Sequence, residues 1–315
     1  MSKYGLTAAG AQRFRCAPCD TTAVRRRSDN SERRHFRMFL TWIAGKTTTD
    51  DIARRAGVSR QTVWRWFAPF WSGCRPPDGC VTSPILVLDG TAVVAREVVS
   101  LIAGDPQTSR PVGWRFSRRE CFAAWLPFLT TLKDRGAKPE FVVCDGQKGL
   151  QIAIRTVWPE AKTQRCVVHV HRQAMAWLTR NPKTAAGQAL RRLVSGIFDV
   201  RTVRQRRRWQ RRFRRWDRRH RSFLKERTVG PNGWWYTHRR VRAVRSLIRN
   251  SLPNLFRFVK RPDVPRTSNH VEGGINSRIK ELLRSHRGLK RHQRLALVSW
   301  YLHLRATKIP TRNVT

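Results

Sequence analysis

Two aspartates stand at positions where the sequence could support metal chemistry. Asp89 and Asp145 each precede a glycine and end an aliphatic run, in PILVLDG and EFVVCDG. An aspartate at the end of a buried strand is costly unless its charge is compensated, and a divalent cation compensates it well. The alternative is that both Asp-Gly pairs are strand-end turns, for which this dipeptide is common. The two pairs alone leave turn and metal ligand equally open.

A third acidic residue, Glu272, lies in TSNHVEGGINSRIK, within a region that is otherwise rich in Arg and Lys. Asn269, Glu272 and Asn276 are spaced i, i+3 and i+7, so a helix would place them on one face. Gly273 and Gly274 would each cost that helix roughly 1 kcal/mol relative to alanine. Such a cost indicates close approach of another backbone or of a ligand. The alternative is a helix cap formed by Asn269 and Glu272, which leaves the paired glycines unexplained.

The elements that would position these acids alternate between strands and helices. Apolar runs predict strands in ILVLDG, VVAREVVSLIAG, EFVVCDG and QRCVVHVHR. A helix is predicted in CFAAWLPFLTTLKDRG, where Trp125, Leu129 and Leu132 share a face, and a second helix is predicted to end near Pro159. This alternation predicts an α/β core with parallel strand pairing.

Strand signals stop from about residue 173 to residue 260, which predicts an all-helical insertion. Within it, Trp209, Phe213, Trp216 and Phe223 are spaced as the buried stripe of an amphipathic helix. The arginines around this stripe would form a solvated face that could also contact phosphates.

The segment before the core predicts three helices over residues 35–71. Ala53 and Gly57 have the spacing typical of a helix-turn-helix, and Ser59 is placed to cap the third helix. Val63 and Trp66 would pack inward. The alternative is a generic three-helix packing unit.

The outward face of the third helix carries side chains suited to DNA. Arg60, Gln61, Thr62 and Arg65 lie near its start, where they could enter a major groove and contact base edges. We therefore predict that these four residues bind DNA.

The composition limits the choice of partner. Lys and Arg number 65 against 20 Asp and Glu, so the formal net charge is +45, which calls for a polyanion. No apolar run approaches the roughly 18 residues of a membrane span, and no signal-like block follows the first residue. An odd number of cysteines, seven, favours reduced thiols. The predictions are a nucleic-acid partner, no membrane contact and a cytoplasmic, nucleoid-associated location.

The order of these motifs resembles the Mutator-type superfamily of bacterial insertion-sequence transposases. The matching stretches are LDGT, VVCDGQKGL, RCVVHVHR, TSNHVEGGINSRIK and SHRGL, and they span most of residues 84–305. The resemblance implies an α/β, ribonuclease H-like catalytic core that is interrupted by an all-helical insertion and preceded by a helix-turn-helix domain.

The resemblance also implies a chemistry. Asp89, Asp145 and Glu272 would be the catalytic triad and would hold two Mg²⁺ or Mn²⁺ ions. Hydrolysis would free the ends of the element, and the same site would join them to target DNA. Cys166 and His169 match the family's Cys-x-x-His, for which we expect a structural or DNA-positioning role rather than a catalytic one.

The two asparagines beside Glu272, Asn269 and Asn276, are auxiliary candidates. A packed cysteine with a hydrogen-bonded histidine is the alternative for the Cys-x-x-His pair, because two ligands are too few for a closed zinc site.

The stretch YGLTAAGAQRFRCAPC resembles the second half of a zinc ribbon found at the start of some of these transposases. Cys16 and Cys19 would supply two of four Zn²⁺ ligands. Three interpretations stay open: the start of the protein lies further upstream, Cys74 and Cys80 complete the site, or no zinc binds.

These observations predict the following organisation: a partial zinc ribbon at 1–34, a helix-turn-helix domain at 35–71, a linker at 72–83, the first part of the core at 84–172, the insertion at 173–262 and the C-terminal core helices at 263–315. The predicted function is a DNA transposase that binds terminal inverted repeats, with a homodimer or larger assembly on DNA expected from the family. The alternatives are a non-catalytic DNA-binding regulator derived from a transposase and a structure-specific nuclease on the same fold.

Overall fold

The structure, a computed structural model, describes residues 1–8, 10–24, 28–45 and 47–307 of the 315-residue chain. These residues form two compact units, one ending at Gly73 and one beginning at Cys74. The segment after this boundary is anchored within the second unit. Val81 is buried, and its N–H donates to the carbonyl of Arg135 at 2.9 Å.

The first unit contains a small sheet followed by helices. Its strands, β1 (Ser2–Leu6), β2 (Gln12–Arg15) and β3 (Thr22–Val24), form a three-stranded antiparallel sheet. Its helices are α1 (Ser28–Ala44), α2 (Thr49–Ala56) and α3 (Arg60–Phe67), followed by a 3₁₀ turn at Ala68–Ser72. The strands have no fully buried residue, so the sequence there shows no apolar alternation.

The three predicted helices of the first unit are confirmed. Phe39 and Ile43 of α1 are fully buried, and the ring of Phe39 lies 5.2 Å from that of Phe67 on α3. Trp66, which was predicted to pack inward, is only half-buried and stacks on His35 at 4.3 Å. The inward position belongs to Phe67, which follows the buried Val63 by one helical turn.

Local backbone chemistry sets the connection between α2 and α3. Gly57 ends α2 with φ of 64°, a left-handed conformation that favours glycine. Ser59 then caps α3, because its hydroxyl accepts the N–H of Thr62 at 3.2 Å. The predicted cap is confirmed.

The second unit is built on a five-stranded mixed sheet with the order β6-β5-β4-β7-β8. The strands are β4 (Ile85–Val94), β5 (Val98–Asp105), β6 (Arg110–Ser117), β7 (Phe141–Cys144) and β8 (Lys162–Arg165). The predicted parallel pairing is confirmed for β4 with β7 and for β7 with β8. β4, β5 and β6 pair antiparallel instead, because short turns join them.

One face of the sheet is covered by α4 (Phe122–Asp134) and α5 (Lys148–Val157). Leu86 and Leu88 on the central strand belong to the same core as Trp125 and Leu129 of α4. Since side chains alternate along a strand, Asp89 points to the opposite face.

The apolar run QRCVVHVHR, which was predicted to be a strand, becomes helical at Cys166. β8 ends at Arg165, and α6 spans Val167–Leu178 with Val167 and Val170 buried on one side. A short apolar run cannot distinguish a buried strand from the buried face of a helix, which explains the error.

The insertion has its own hydrophobic core, built from α6, α7 (Ala185–Ser195), α8 (Val203–Arg219) and α9 (Arg239–Leu255). The predicted stripe of α8 is confirmed for Trp209, Phe213 and Trp216, which are buried. The indole N–H of Trp209 donates to the carbonyl of Leu193 on α7 at 2.9 Å. Phe223 lies beyond α8, in a 3₁₀ turn.

The insertion is not all-helical, so that prediction was wrong. It contains a β-hairpin of β9 (Arg227–Gly230) and β10 (Gly233–Tyr236). An Asn-Gly pair followed by aromatic residues is itself a hairpin signal. The strands are only four residues long and stand among arginine-rich helices, where a helical pattern dominates the sequence.

The C-terminal elements are α10 (Asn269–Val271), a π-helical turn (Glu272–Asn276), α11 (Ser277–Ser285) and α12 (Arg291–Thr307). Gly104 on β5 allows α10 to lie close to the sheet, since a Cβ at Gly104 would stand 2.7 Å from Cγ2 of Val271. Across the described ranges, no helix is both long enough and apolar enough to cross a membrane.

Candidate active site

The strand register brings Asp89 and Asp145 to neighbouring positions. β4 and β7 run parallel, and Leu88 pairs with Cys144. The next residue on each strand is the aspartate. Because Leu88 and Cys144 are paired, this register sets Asp145, just after the end of β7, beside Asp89 in the middle of β4.

Asp89 is almost completely buried, with 8% of its surface exposed. Burial raises its pKa to about 7, and the negative charges of Asp145 and Glu272 add to the rise against the opposing effect of His169. Asn276 donates a hydrogen bond from Nδ2 to Asp89 Oδ2 at 2.7 Å. The turn alternative is wrong for Asp89, because β4 continues through Gly90 to Val94.

Asp145 does lie in a turn. Gly146 follows it with φ of 86°, and a Cβ at Gly146 would overlap the guanidinium of Arg165. One carboxylate oxygen, Oδ1, accepts the N–H of Gln147 at 2.8 Å. The turn therefore uses one oxygen of Asp145 and orients the carboxylate at the end of β7.

Glu272 does not act as a helix cap. The residue that precedes α10 is Ser268, and no side-chain hydrogen bond caps that helix. The carboxylate of Glu272 instead accepts from Arg172 at 2.8 Å and lies 3.8 Å from Nε2 of His169. Its Oε2 is buried and has no hydrogen-bond partner among the residues that the structure describes. The residue is presented by a π-helical turn, a feature that is frequent at functional sites.

The two glycines after Glu272 do not make room for a neighbouring strand. A Cβ at Gly274 would meet no atom within 4 Å, and one at Gly273 would meet only Asn269, at 3.5 Å. Asn269 is exposed, whereas Asn276 is 1% exposed. Of the two auxiliary asparagines, the structure brings only Asn276 to Asp89.

Sequence reasoning missed a fourth carboxylate, Glu120. It lies between β6 and α4, and a Cβ at Gly90 would stand 2.6 Å from its Oε2. Burial raises the pKa of Glu120 to about 7, and the charges of Asp145 and Asp89 raise it further. Gln147 holds the segment in place by donating from Nε2 to the Glu120 carbonyl at 2.8 Å. The signal that could have identified it is the one noticed for Glu272, a single acid in a basic stretch, SRREC.

Cys166 and His169 stand where three segments meet. The N–H of Cys166 donates to the Cys144 carbonyl at 2.8 Å, and its sulfur accepts from the N–H and the hydroxyl of Ser268, each at 3.4 Å. Through its backbone N–H and its buried thiol, Cys166 joins the end of β7 to the segment that leads into α10. Contact with Cys166 raises the pKa of His169 to about 9, although burial opposes it, and Glu272 and Asp89 contribute to the rise.

A divalent cation fits the chemistry of this donor set. Asp89, Asp145, Glu272 and Glu120 offer oxygen ligands, which Mg²⁺ and Mn²⁺ prefer, and Glu272 has a buried oxygen to which no described residue donates. Among the described residues, no group of three or more His, Cys, Asp or Glu side chains is placed to hold one ion jointly. Mg²⁺ is usually bound by one or two carboxylates, and water completes its coordination shell. Two of these carboxylates are therefore enough to hold one ion.

The cysteines considered for zinc lie in the turn between β2 and β3. Hydrogen bonding with Thr21 lowers the pKa of Cys19, and Cys16 contributes to the same effect. A lowered thiol pKa favours the thiolate that binds metals. Cys74 and Cys80 belong to the second unit.

The predicted DNA-contacting residues lie at the start of α3. Arg60, Gln61 and Arg65 are exposed, and Nε of Arg60 lies 3.8 Å from Oδ1 of Asp50. Thr62 is half-buried, and its hydroxyl hydrogen bonds with that of Ser59 at 3.0 Å. Three of the four side chains are therefore exposed, Arg60 beside Asp50, while Thr62 takes part in the cap.

Comparison with known proteins adds an independent observation. Residues 84–225 match the family described as Transposase, Mutator family. This segment of the chain is similar to the Mutator family of transposases. The matched segment contains Asp89, Glu120 and Asp145 but ends before Glu272, whose place in the site rests on the geometry.

Several curated relatives are transposases of insertion sequences. The chain is 29% identical to a probable transposase of Corynebacterium diphtheriae over 109 residues, which are 34% of the chain and 32% of the relative. It is 27% identical to the IS905 transposase of Lactococcus lactis over 201 residues, 57% and 50% of the two chains. It is 47% identical to the ISRM5 transposase of Rhizobium meliloti over 74 residues, 23% and 19%. The matches span half or less of each relative.

Proposed function

We propose that the chain is the transposase of an insertion sequence, which binds the terminal inverted repeats of its element, cleaves DNA there and joins the freed ends to target DNA. One observation carries this proposal. Asp89, Asp145 and Glu272 come from three distant parts of the sequence, yet they lie close enough for the last two to raise the pKa of the first. Mutual repulsion of neighbouring carboxylates around a buried one is costly unless a cation is bound.

A ribonuclease H-like core is supported by the sheet. Three antiparallel strands are followed by two parallel ones in the order β6-β5-β4-β7-β8. Asp89 lies on the central strand, Asp145 follows its parallel neighbour, and Glu272 is brought in by a segment that packs against β4 and β5.

Two Mg²⁺ or Mn²⁺ ions held by these carboxylates would activate the attacking water or 3′-hydroxyl and stabilise the leaving oxygen. The protein orients the ligands. Asn276 holds one oxygen of Asp89, and the Gln147 N–H holds one oxygen of Asp145. Arg172 holds Glu272 from the solvent side, where it could also contact a phosphate. We include Glu120 in the ligand set.

Binding of DNA is supported by charge and by two surfaces, one in each unit. In the first unit, the pair of helices α2 and α3 would act as a helix-turn-helix, with Arg60, Gln61 and Arg65 in the major groove. In the second unit, α8 buries its aromatic stripe and exposes nine arginines: Arg204, Arg207, Arg208, Arg211, Arg212, Arg214, Arg215, Arg218 and Arg219. These would neutralise phosphates without reading sequence. We also propose a homodimer or larger assembly on the DNA of the nucleoid, because the two ends of the element must be paired.

The test uses purified full chain, Mg²⁺ or Mn²⁺ and a DNA fragment that carries the element's ends. We expect cleavage at the ends and joining to a target plasmid. Asp89→Asn should lower the rate by at least about a thousandfold, since the ions supply several kcal/mol of charge stabilisation. Glu272→Gln should have the same effect. Both variants should still bind DNA.

The matched control is Asp134→Asn, which removes an exposed carboxylate at the end of α4 and should leave cleavage unchanged. Full cleavage by Asp89→Asn would refute the proposal. Cleavage without joining of pre-cut ends would identify a nuclease, and specific binding without any strand chemistry would identify a regulator.

A further inference from the structure

The hairpin of the insertion keeps an unusual amount of aromatic surface in water. Trp234 and Trp235 on β10 are 50% and 38% exposed, and Val229 on β9 is 81% exposed. In the part of the chain that the structure describes, no other tryptophan is as exposed as these two. Adjacent exposed apolar side chains mark a surface that another molecule covers.

Arginines surround the aromatic rings of this hairpin. The guanidinium of Arg227 lies 3.8 Å from the ring centre of Trp234, and that of Arg242 lies 3.3 Å from the ring centre of Tyr236. Arg239 lies 5.8 Å from the ring of Trp235. The surface therefore combines flat aromatic faces with several positive charges, which suits an anionic ligand that has flat faces of its own.

Each indole ring is supported on one side. Arg227 covers one side of Trp234, and the backbone at Gly230 lies against Trp235, because a Cβ at Gly230 would stand 2.7 Å from that ring. Neighbouring residues on a strand point to opposite faces, so the two indoles form separate stacking positions. Both indoles are exposed, so each offers a ring surface to a ligand.

From these features, we propose that the hairpin of residues 227–236 binds unpaired bases of DNA by stacking them on Trp234 and Trp235. In a duplex, the neighbouring base pairs cover the faces of each base, whereas an unpaired base presents a free face to an aromatic side chain. The arginines beside the rings would contact the flanking phosphates. This inference deepens the proposed function and rests on it for the choice of DNA as the polyanion.

The test measures affinity by fluorescence anisotropy, using the full chain without divalent metal so that no strand is cut. Two labelled DNAs are compared, a blunt duplex and the same duplex with an internal unpaired stretch. Trp234→Ala should weaken binding to the DNA with unpaired bases about 5- to 150-fold. Its affinity for the blunt duplex should remain that of the unchanged protein.

Two further substitutions separate stacking from general apolar contact. Trp234→Phe keeps an aromatic face and should retain most of the preference for unpaired bases, whereas Trp234→Leu keeps apolar area without a flat ring and should lose it. Ile152→Ala, at an exposed apolar position of α5 outside the hairpin, is the matched control and should bind like the unchanged protein.

Three results would overturn the proposal: full affinity of Trp234→Ala for unpaired bases, an equal loss on both DNAs, or full retention of the preference by Trp234→Leu. A shift from dimer to monomer in Trp234→Ala with unchanged DNA binding would assign the hairpin to self-association instead. If the unchanged protein bound neither DNA, the proposed function would fail. If it bound both and only the preference were absent, the hairpin proposal alone would fail.

Discussion

Asn276 donates a hydrogen bond from its side-chain amide to Oδ2 of Asp89 at 2.7 Å, across 187 positions of the sequence. Both residues are buried. The bond ties the turn that carries Glu272 to the central strand of the sheet, so two of the three proposed catalytic acids are held in one arrangement. An asparagine suits this place because its amide donates to a carboxylate without adding a further negative charge.

Replacing Asn276 should impair metal binding before it impairs folding. We expect Asn276→Ala to weaken Mn²⁺ binding about 10- to 100-fold, the usual effect of losing a group that orients a ligand. Titration calorimetry with Mn²⁺ measures this directly. Asn250→Ala, at an exposed position on α9, should bind Mn²⁺ like the unchanged protein. Unaltered Mn²⁺ affinity in Asn276→Ala would show that the bond is only structural.

Glu120 should contribute to the metal site although it is not part of the predicted triad. Its carboxylate lies over Gly90, beside Asp89, and its charge adds to the local negative potential. Glu120→Gln is expected to weaken Mn²⁺ binding about 10- to 100-fold. The matched substitution Glu160→Gln, at an exposed site after α5, should have no effect. Equal Mn²⁺ affinities of the two variants would show that Glu120 does not contribute to the metal site.

The metal-free protein should become less stable as pH rises. Burial raises the pKa of Asp89 from 3.8 to about 7. Between these values the folded protein keeps a proton that the unfolded chain has lost, so the free energy of unfolding falls with increasing pH. Asp89→Asn removes this effect, and its Tm should rise relative to the unchanged protein from about pH 4 to about pH 7.

The Tm difference for Asp89→Asn should level off above pH 7, where both states of the unchanged protein are ionised. Thermal unfolding in the presence of a chelator measures it, with Asp134→Asn as the exposed control. A Tm difference that stayed constant across this pH range would contradict the raised pKa. Adding Mg²⁺ should stabilise the unchanged protein more than Asp89→Asn, because binding to the folded state adds to stability.

Two glycines near Glu272 should respond in opposite directions to alanine. Gly104→Ala would force a Cβ to within 2.7 Å of Val271 Cγ2, and such overpacking costs about 1–3 kcal/mol. At roughly 2–4 °C per kcal/mol, the Tm should fall clearly. Gly274→Ala meets no atom within 4 Å and should stabilise its helical turn by about 0.5–1 kcal/mol.

DNA cleavage should give a further test of the substitution at Gly274. If the open space at Gly274 admits DNA, Gly274→Ala should cleave more slowly in spite of its higher Tm. Wild-type cleavage by Gly274→Ala would show that this space is not used. A Tm for Gly104→Ala equal to that of the unchanged protein would show that α10 can move away from the sheet without cost.

The sequence predicted elements well where periodicity is strong. The buried stripe of α8 was visible because its aromatic residues recur at helical spacing, and the aliphatic run before Asp89 identified the central strand. It failed where a pattern is short. The run after Gln164 begins as a strand and continues as a helix, and the four-residue strands of the hairpin leave too little alternation to detect among arginine-rich helices.

Part of the candidate site was visible in the same way. Asp89 and Asp145 end apolar runs, and Glu272 is an isolated acid beside two glycines. These are local features that a single sequence displays. Glu120 is also a single acid in a basic stretch, but it ends no apolar run and has no glycine beside it, so only the fold shows that it faces Gly90.

The amino-acid sequence by itself determined which side chains could do chemistry, the amphipathic faces, the basic charge and the resemblance to Mutator-type transposases, because each of these depends on residue type and on local spacing. Tertiary structure decided which of these residues contact one another. The register of β4 against β7 sets Asp145 beside Asp89, and the missing side chain of Gly104 lets α10 approach until Asn276 reaches Asp89. Contacts between residues far apart in the chain depend on how whole elements pack, which local spacing does not encode.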